Sequence, residues 1–129
     1  MSIGSQDQDT RSVGRRGEDL AAEYLGRLGW RIIDRNWRCS AGEVDLVAHD
    51  PGDDAVVLVE VKYRTGTGYG SPLEAITHTK RRHLRAVCGA WLREHRPWLA
   101  AGTQVRVDAL GIVKAPGRRA EFTHVRGLS

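Results

Sequence analysis

Asp45, Glu60 and Lys62 stand where charge is expensive. Asp45 lies in an alternating stretch, 43–49, and Glu60 and Lys62 lie two apart in the most apolar segment, 55–63. Alternate residues of a strand project from one face, so Glu60 and Lys62 share a side. An unpaired carboxylate is costly to bury, so such groups are normally paired, metal-bound or shifted in pKa. The chemistry that suits this set is metal-assisted phosphodiester hydrolysis. Two carboxylates from adjacent strands can hold Mg²⁺, or Mn²⁺ in its place, an ion that takes oxygen ligands and keeps several waters. The metal acidifies a bound water and neutralises charge building on the phosphate. Lys62 is then placed to orient that water or to stabilise the transition state, and the Val61 carbonyl between the two is a further candidate ligand. Glu18 joins the set from a helix, where it shares a face with Ala21, Ala22 and Leu25 and so points at the sheet. It is a third carboxylate, acting directly or through water. The plainer alternative makes Glu60 and Lys62 an ion pair on an exposed strand face and Asp45 an acid beside a turn.

Basic residues that could hold a phosphate backbone cluster over 80–96. Lys80, Arg81, Arg82, Arg85, Arg93 and Arg96 face Glu94 alone, a local net of +5 against +4 for the whole chain. Lys80 aligns with the buried stripe of Leu84, Val87 and Cys88, which directs it toward the carboxylates as a phosphate contact. Arg64 and Arg38 flank the same cleft, and Arg81 and Arg85 extend the surface. Phosphate contacts of this kind give affinity without reading sequence. The plainer reading leaves Arg81, Arg82, Arg85 and Arg93 as a solvated helix face. Trp30 and Trp91 read as core, and Trp98, after a proline, as the exposed tryptophan.

The elements that position these residues follow one another with short punctuation. Residues 12–28 read as a helix capped by Ser12 and stopped by Gly29, with Glu23 and Arg27 paired on the solvent side. Strands are expected over 30–37, 43–49 and 55–63. In the second, Val44, Leu46 and Ala48 point one way and Glu43, Asp45 and Val47 the other. The third is apolar enough to be a central strand covered on both faces. A glycine-rich loop over 65–70 can either close over a substrate or simply connect. Ser71-Pro72-Leu73-Glu74 then opens a helix, with a break near Thr77, that runs to about His95. Strands over 103–113 and 120–125 complete the order α-β-β-β-α-β-β, an α/β fold with a mixed central sheet flanked by helices. Residues 1–11 read as a disordered tail, 12–126 as a single domain, and 127–129 as a frayed end.

Composition sets the limits. The chain has 129 residues, 40% hydrophobic and 28% charged, enough for one packed domain. No apolar run approaches the ~18–20 residues of a membrane span, and the start lacks a signal-peptide pattern, so a cytoplasmic, non-membrane protein is expected. Cys39 and Cys88 form no CxxC, and no histidine spacing suggests zinc.

With these residues in place, the chain resembles the PD-(D/E)xK core of restriction-endonuclease-like nucleases, as Asp45 followed by Glu60-Val61-Lys62. An upstream helical acid, here Glu18, belongs to that pattern in Holliday-junction resolvases. The sequence is closer still to the YraN-like family of small, uncharacterised bacterial proteins. Gly17-Glu18, Asn36-Trp37-Arg38, Gly42 through Val47, Val59 through Arg64, Gly70, Lys80 and Val105 through Asp108 carry that resemblance over about residues 14–113. Val44 stands where the nuclease motif has proline. The resemblance implies a nuclease-like fold, Glu18, Asp45, Glu60 and Lys62 as the metal and catalytic positions, and nucleic acid as ligand, DNA above all. It also implies a homodimer, and a structural role for Asp108 beside Arg106 or a helix end. The function expected is a Mg²⁺- or Mn²⁺-dependent endonuclease on DNA, with branched or damaged structures as candidate substrates. The alternatives are a non-catalytic nucleic-acid-binding or scaffold protein that keeps the fold, and a purely structural partner.

Overall fold

The computed structural model describes residues 3–66 and 71–128, the side chains of 3–13 and 75 excepted. Helix α1 (Ile3–Arg27) is followed by β1 (Arg31–Cys39), β2 (Gly42–Asp50) and β3 (Ala55–Arg64). A short 3-10 turn (Pro72–Ala75) leads to α2 (His78–His95), and β4 (Gln104–Val113) and β5 (Glu121–Val125) end the chain. The five strands lie in sequence order in one sheet. All neighbours are antiparallel except β3 and β4, which run parallel with α2 as the crossover. The expected α/β order is the observed one.

Two cores form, one on each face. Val57 and Val59 of β3 turn toward α1 and meet Ala21 and Leu25, whereas Val56 and Leu58 turn toward α2 and meet Leu84, Val87 and Trp91. Ala55 through Glu60 are all buried, as a strand covered on both sides requires. Gly17 brings α1 down onto β3, since a Cβ there would lie 2.7 Å from the Tyr63 Cβ. Gly111 does the same for the 3-10 turn, whose Leu73 Cγ would sit 3.1 Å from an added Cβ.

Several boundaries differ from the sequence reading. The first helix starts at Ile3, so Ser12 lies within it rather than at its start, and helix runs through the stretch read as a tail. Once a helix is nucleated each added residue gains a hydrogen bond, which the weak formers of this stretch do not prevent. Gly29, at φ +88°, ends the turn as expected. Glu23 and Arg27 are paired. The alternation in β2 fails at its start: Val44 packs with Val47 in the α2-side core rather than with Leu46 and Ala48. The cause is local, because β2 pairs with β3 only up to Leu46↔Val59 and the strands part beyond. The helix opening at Ser71 breaks at Thr77, which caps α2 by accepting from the Lys80 N–H at 3.1 Å. The carboxy-terminal end is not frayed as far as Leu128: the Gly127 N–H donates to Asp108 at 3.0 Å and the Leu128 N–H to the Val107 carbonyl at 2.7 Å. Of the glycine-rich loop, residues 67–70 lie outside the described residues.

Candidate active site

The parting of β2 and β3 makes the site. Past Leu46↔Val59 the Val61 N–H no longer has a strand carbonyl opposite it and donates instead to Asp45 Oδ2 at 2.7 Å. The side chain of one strand thus satisfies the backbone of the next, and Asp45 is held against β3 where Glu60 emerges. Glu60 is buried (5% exposed), and its carboxyl lies close enough to that of Asp45 for each to act on the other's ionisation. Two carboxylates so close cannot both ionise readily. Burial, then the neighbouring Glu60 carboxyl and its charge, push the Asp45 pKa up to about 8, against the opposing Val61 N–H, with the Glu18 charge adding to the rise.

Glu60 Oε2 is buried and accepts no hydrogen bond. Lys80 Nζ lies 3.3 Å away, close enough for ion pairing but not aligned as a donor. The Thr77 cap and the glycine under the 3-10 turn fix the start of α2 and so place Lys80 over the sheet. Lys62, half-buried on the same face as Glu60, has no ion-pair partner among the described residues. Gly111 stands beside it on β4.

Glu18 reaches the site from the α1 side. It is half-buried, close enough for its charge to act on Asp45, and accepts a 2.9 Å hydrogen bond from Asn36 Nδ2. Sequence reasoning places Asn36 in a family motif and gives it no part in the site. Its backbone is left-handed (φ +52°), a conformation asparagine tolerates better than most residues. That turn of the chain aims the carboxamide back at α1. An asparagine in an otherwise regular strand is the signal that could have found it. Glu18, Asn36, Arg15 and Arg38 line a cleft of ≈ 450 Å³. Arg38 is exposed and pairs with Glu43 at 2.9 Å.

The structure therefore brings Asp45, Glu60, Lys62 and Lys80 together, with Glu18 and Arg38 at the rim. Arg85 is exposed on α2 and Arg81 half-buried; Arg64 ends β3. Among the described residues no three His, Cys, Asp or Glu side chains converge as a ready metal cluster. Two carboxylates do fit a divalent cation: Asp45 and Glu60 lie close together, burial and that proximity raise the Asp45 pKa, and one Glu60 oxygen lacks a donor.

Asp108, read as structural, is fully buried and takes Arg106 Nε at 2.8 Å and His124 Nε2 at 2.8 Å. Arg106 also bonds Asp50 and Asp53, at 3.1 and 2.9 Å. Trp98 is 83% exposed, and Trp30 and Trp91 are buried, as their sequence contexts suggest. No helix among the described residues is long and apolar enough to cross a membrane.

Comparison with known proteins finds relatives that span nearly the whole chain. The family model described as "Uncharacterised protein family UPF0102" matches residues 17–112. A UPF0102 protein of Mycobacterium tuberculosis is 45% identical over 119 residues, 90% of this chain and 91% of its own length. One from Mycobacterium avium is 44% identical over 117 residues, covering 90% and 88%, and one from Rhodococcus opacus 47% over 116, covering 89% and 93%.

Proposed function

The chain belongs to the UPF0102 family, and from the site its sequence builds we propose that it is a divalent-metal-dependent nuclease of the PD-(D/E)xK kind acting on DNA. The observation that carries this reading is the close pair of carboxyls, Asp45 and Glu60, one of which keeps a buried oxygen without a hydrogen-bond donor, 3.3 Å from Lys80 Nζ. Asp45 and Glu60 would hold Mg²⁺ or Mn²⁺, with Glu18 as the third carboxylate, through water where it stays bonded to Asn36. The bound ion supplies an acidified water and charge neutralisation at the phosphate. Lys62 holds the attacking water or the developing negative charge. Lys80 neutralises Glu60 while the site is free and turns to the phosphate when a cation takes that role. Arg38, Arg64, Arg81 and Arg85 hold the backbone on either side, and branched or damaged DNA is the candidate substrate, cut by a homodimer.

Incubation of the full chain with duplex, single-stranded, flap and four-way-junction DNA in Mg²⁺ or Mn²⁺ tests this. Cleavage is expected, lost in both Asp45→Asn and Lys62→Ala. Cleavage that survives both substitutions would overturn the site. The absence of a third converging ligand among the described residues favours one rival, a binding protein that keeps the fold. DNA binding without metal uptake in calorimetry, unchanged by Glu60→Gln, would establish that rival.

A further inference from the structure

Glu18 stands in a cleft lined by cations and pairs with none of them. Arg15, Arg35 and Arg38 share that cleft between α1 and β1. Arg35 is taken by Asp19 at 2.7 Å and Arg38 by Glu43 at 2.9 Å. Glu18 makes no ion pair among the described residues, and its hydrogen bond comes instead from the Asn36 carboxamide at 2.9 Å. A neutral donor fixes a carboxylate without cancelling its charge, whereas a guanidinium at ion-pair distance offsets much of it. The charge left on Glu18 is felt at Asp45.

The backbone of β1 makes this possible. β1 is an edge strand of the sheet. Arg35 pairs with Leu46 and Trp37 with Val44, so Asn36 lies level with Asp45 on the neighbouring strand. At φ +52° it leaves the regular strand conformation and turns its amide to α1. Few residues adopt that conformation without strain; glycine, asparagine and aspartate do so most readily. Glycine would supply no donor, and aspartate would set a second negative charge against Glu18. Asparagine meets both demands. Two consecutive residues of β1 therefore tie two consecutive residues of α1, Arg35 to Asp19 and Asn36 to Glu18. The second tie ends on the carboxylate whose charge reaches Asp45.

We propose that Asn36 is a positioning residue for the divalent cation: it holds the Glu18 carboxylate in one orientation, still charged, beside the Asp45–Glu60 pair, and so sets how tightly that pair binds the ion. The inference rests on the metal-dependent reading above and deepens it. Asn36 acts through Glu18, as the hydrogen-bond partners of metal ligands commonly do.

The test is calorimetric titration of the full chain with Mn²⁺ alone, without DNA. Asn36→Gly keeps the left-handed backbone and removes the amide. It is expected to bind Mn²⁺ about tenfold more weakly than the wild type, with the urea midpoint of the metal-free protein nearly unchanged. Asn36→Ala should show the same loss of affinity together with a lower midpoint, because alanine is strained at that backbone conformation. Glu18→Gln should weaken binding at least as much, and adding Asn36→Gly to it should have little further effect. Arg35→Ala cuts the neighbouring tie between the same two elements and should not weaken Mn²⁺ binding. Circular dichroism checks the fold of each variant. The proposal is overturned if Asn36→Gly binds Mn²⁺ as the wild type does, if its effect persists in full beside Glu18→Gln, or if Arg35→Ala matches it, since a mere staple between α1 and β1 would make the two cuts equivalent. In those outcomes, Mn²⁺ binding that is lost in Asp45→Asn leaves the metal site standing and removes Asn36 alone. A wild type that takes up no Mn²⁺ overturns the metal reading and this inference together.

Discussion

Asp45 keeps a proton in the folded chain that the unfolded chain releases near pH 3.8. Ionising it therefore works against folding: its contribution is complete below about pH 4 and declines as pH rises toward about 8. Asp45→Asn carries no such penalty. Without metal, urea unfolding should show this variant more stable than the wild type at pH 8 by at least ~1 kcal/mol, with the gain gone near pH 4. A variant less stable at pH 8 would contradict the raised Asp45 pKa. Mg²⁺ should raise the thermal midpoint of the wild type more at pH 8 than at pH 6, and a chelator should reverse the rise. Lys80→Ala removes the ion partner of a buried Glu60 oxygen. It should cost ~1 kcal/mol, since Lys80 is partly solvated, and saturating Mg²⁺ should restore the loss. Asp45, Glu60 and Lys62 were legible because charge at period two in an apolar strand is rare. Asn36 offered only its own residue type within a strand as a signal, because a single left-handed residue leaves no pattern in the residues around it.

At the scale of elements, the site depends on how closely α1 approaches β3. Gly17→Ala would place a Cβ 2.7 Å from the Tyr63 Cβ, and neither backbone-tethered atom can swing away. The helix must lift, so a loss of ~1–3 kcal/mol is expected in the urea midpoint. Cleavage should fall as well, because Glu18 is the next residue. The far end of the sheet is tied by Arg106, Asp50, Asp108 and His124. Burial alone would raise Asp108, but its hydrogen bonds from His124, Arg106 and the Gly127 N–H outweigh that and hold it below the usual carboxylate range. Asp50 is lowered likewise, its burial offset by Arg106 and local N–H groups. Both contribute stability above pH ~4 that is lost as pH falls through their depressed values. Asp108→Asn should cost ~3 kcal/mol at neutral pH and flatten the acid limb of a stability–pH curve. The order of elements along the chain and the Thr77 break were readable from apolar runs and cap residues. The start of α1 and the docking of Leu128 were not, since propagation through weak helix formers and a long-range backbone bond have no local signature.

For the whole molecule, the net charge of +4 conceals an acidic cleft where β2 and β3 part, beside the cations of α2. That arrangement was partly readable, because the α2 cluster is a run in sequence. DNA affinity should accordingly fall linearly with log salt, and the slope should be shallower when exposed cations of α2 such as Arg85 are neutralised. The parallel β3–β4 pairing has a kinetic consequence. Its partners, from Ala55↔Gln104 to Arg64↔Val113, lie far apart in the chain, so a long loop must close before they meet. Strands β1, β2 and β3 are joined by short turns and pair with their sequence neighbours. Core truncations in this meander, such as Val57→Ala, should slow folding, while Val107→Ala in β4 should mainly speed unfolding. Asp45 and Glu60 would then face each other early, in a half-built chain whose carboxylates wait for the helix that brings Lys80.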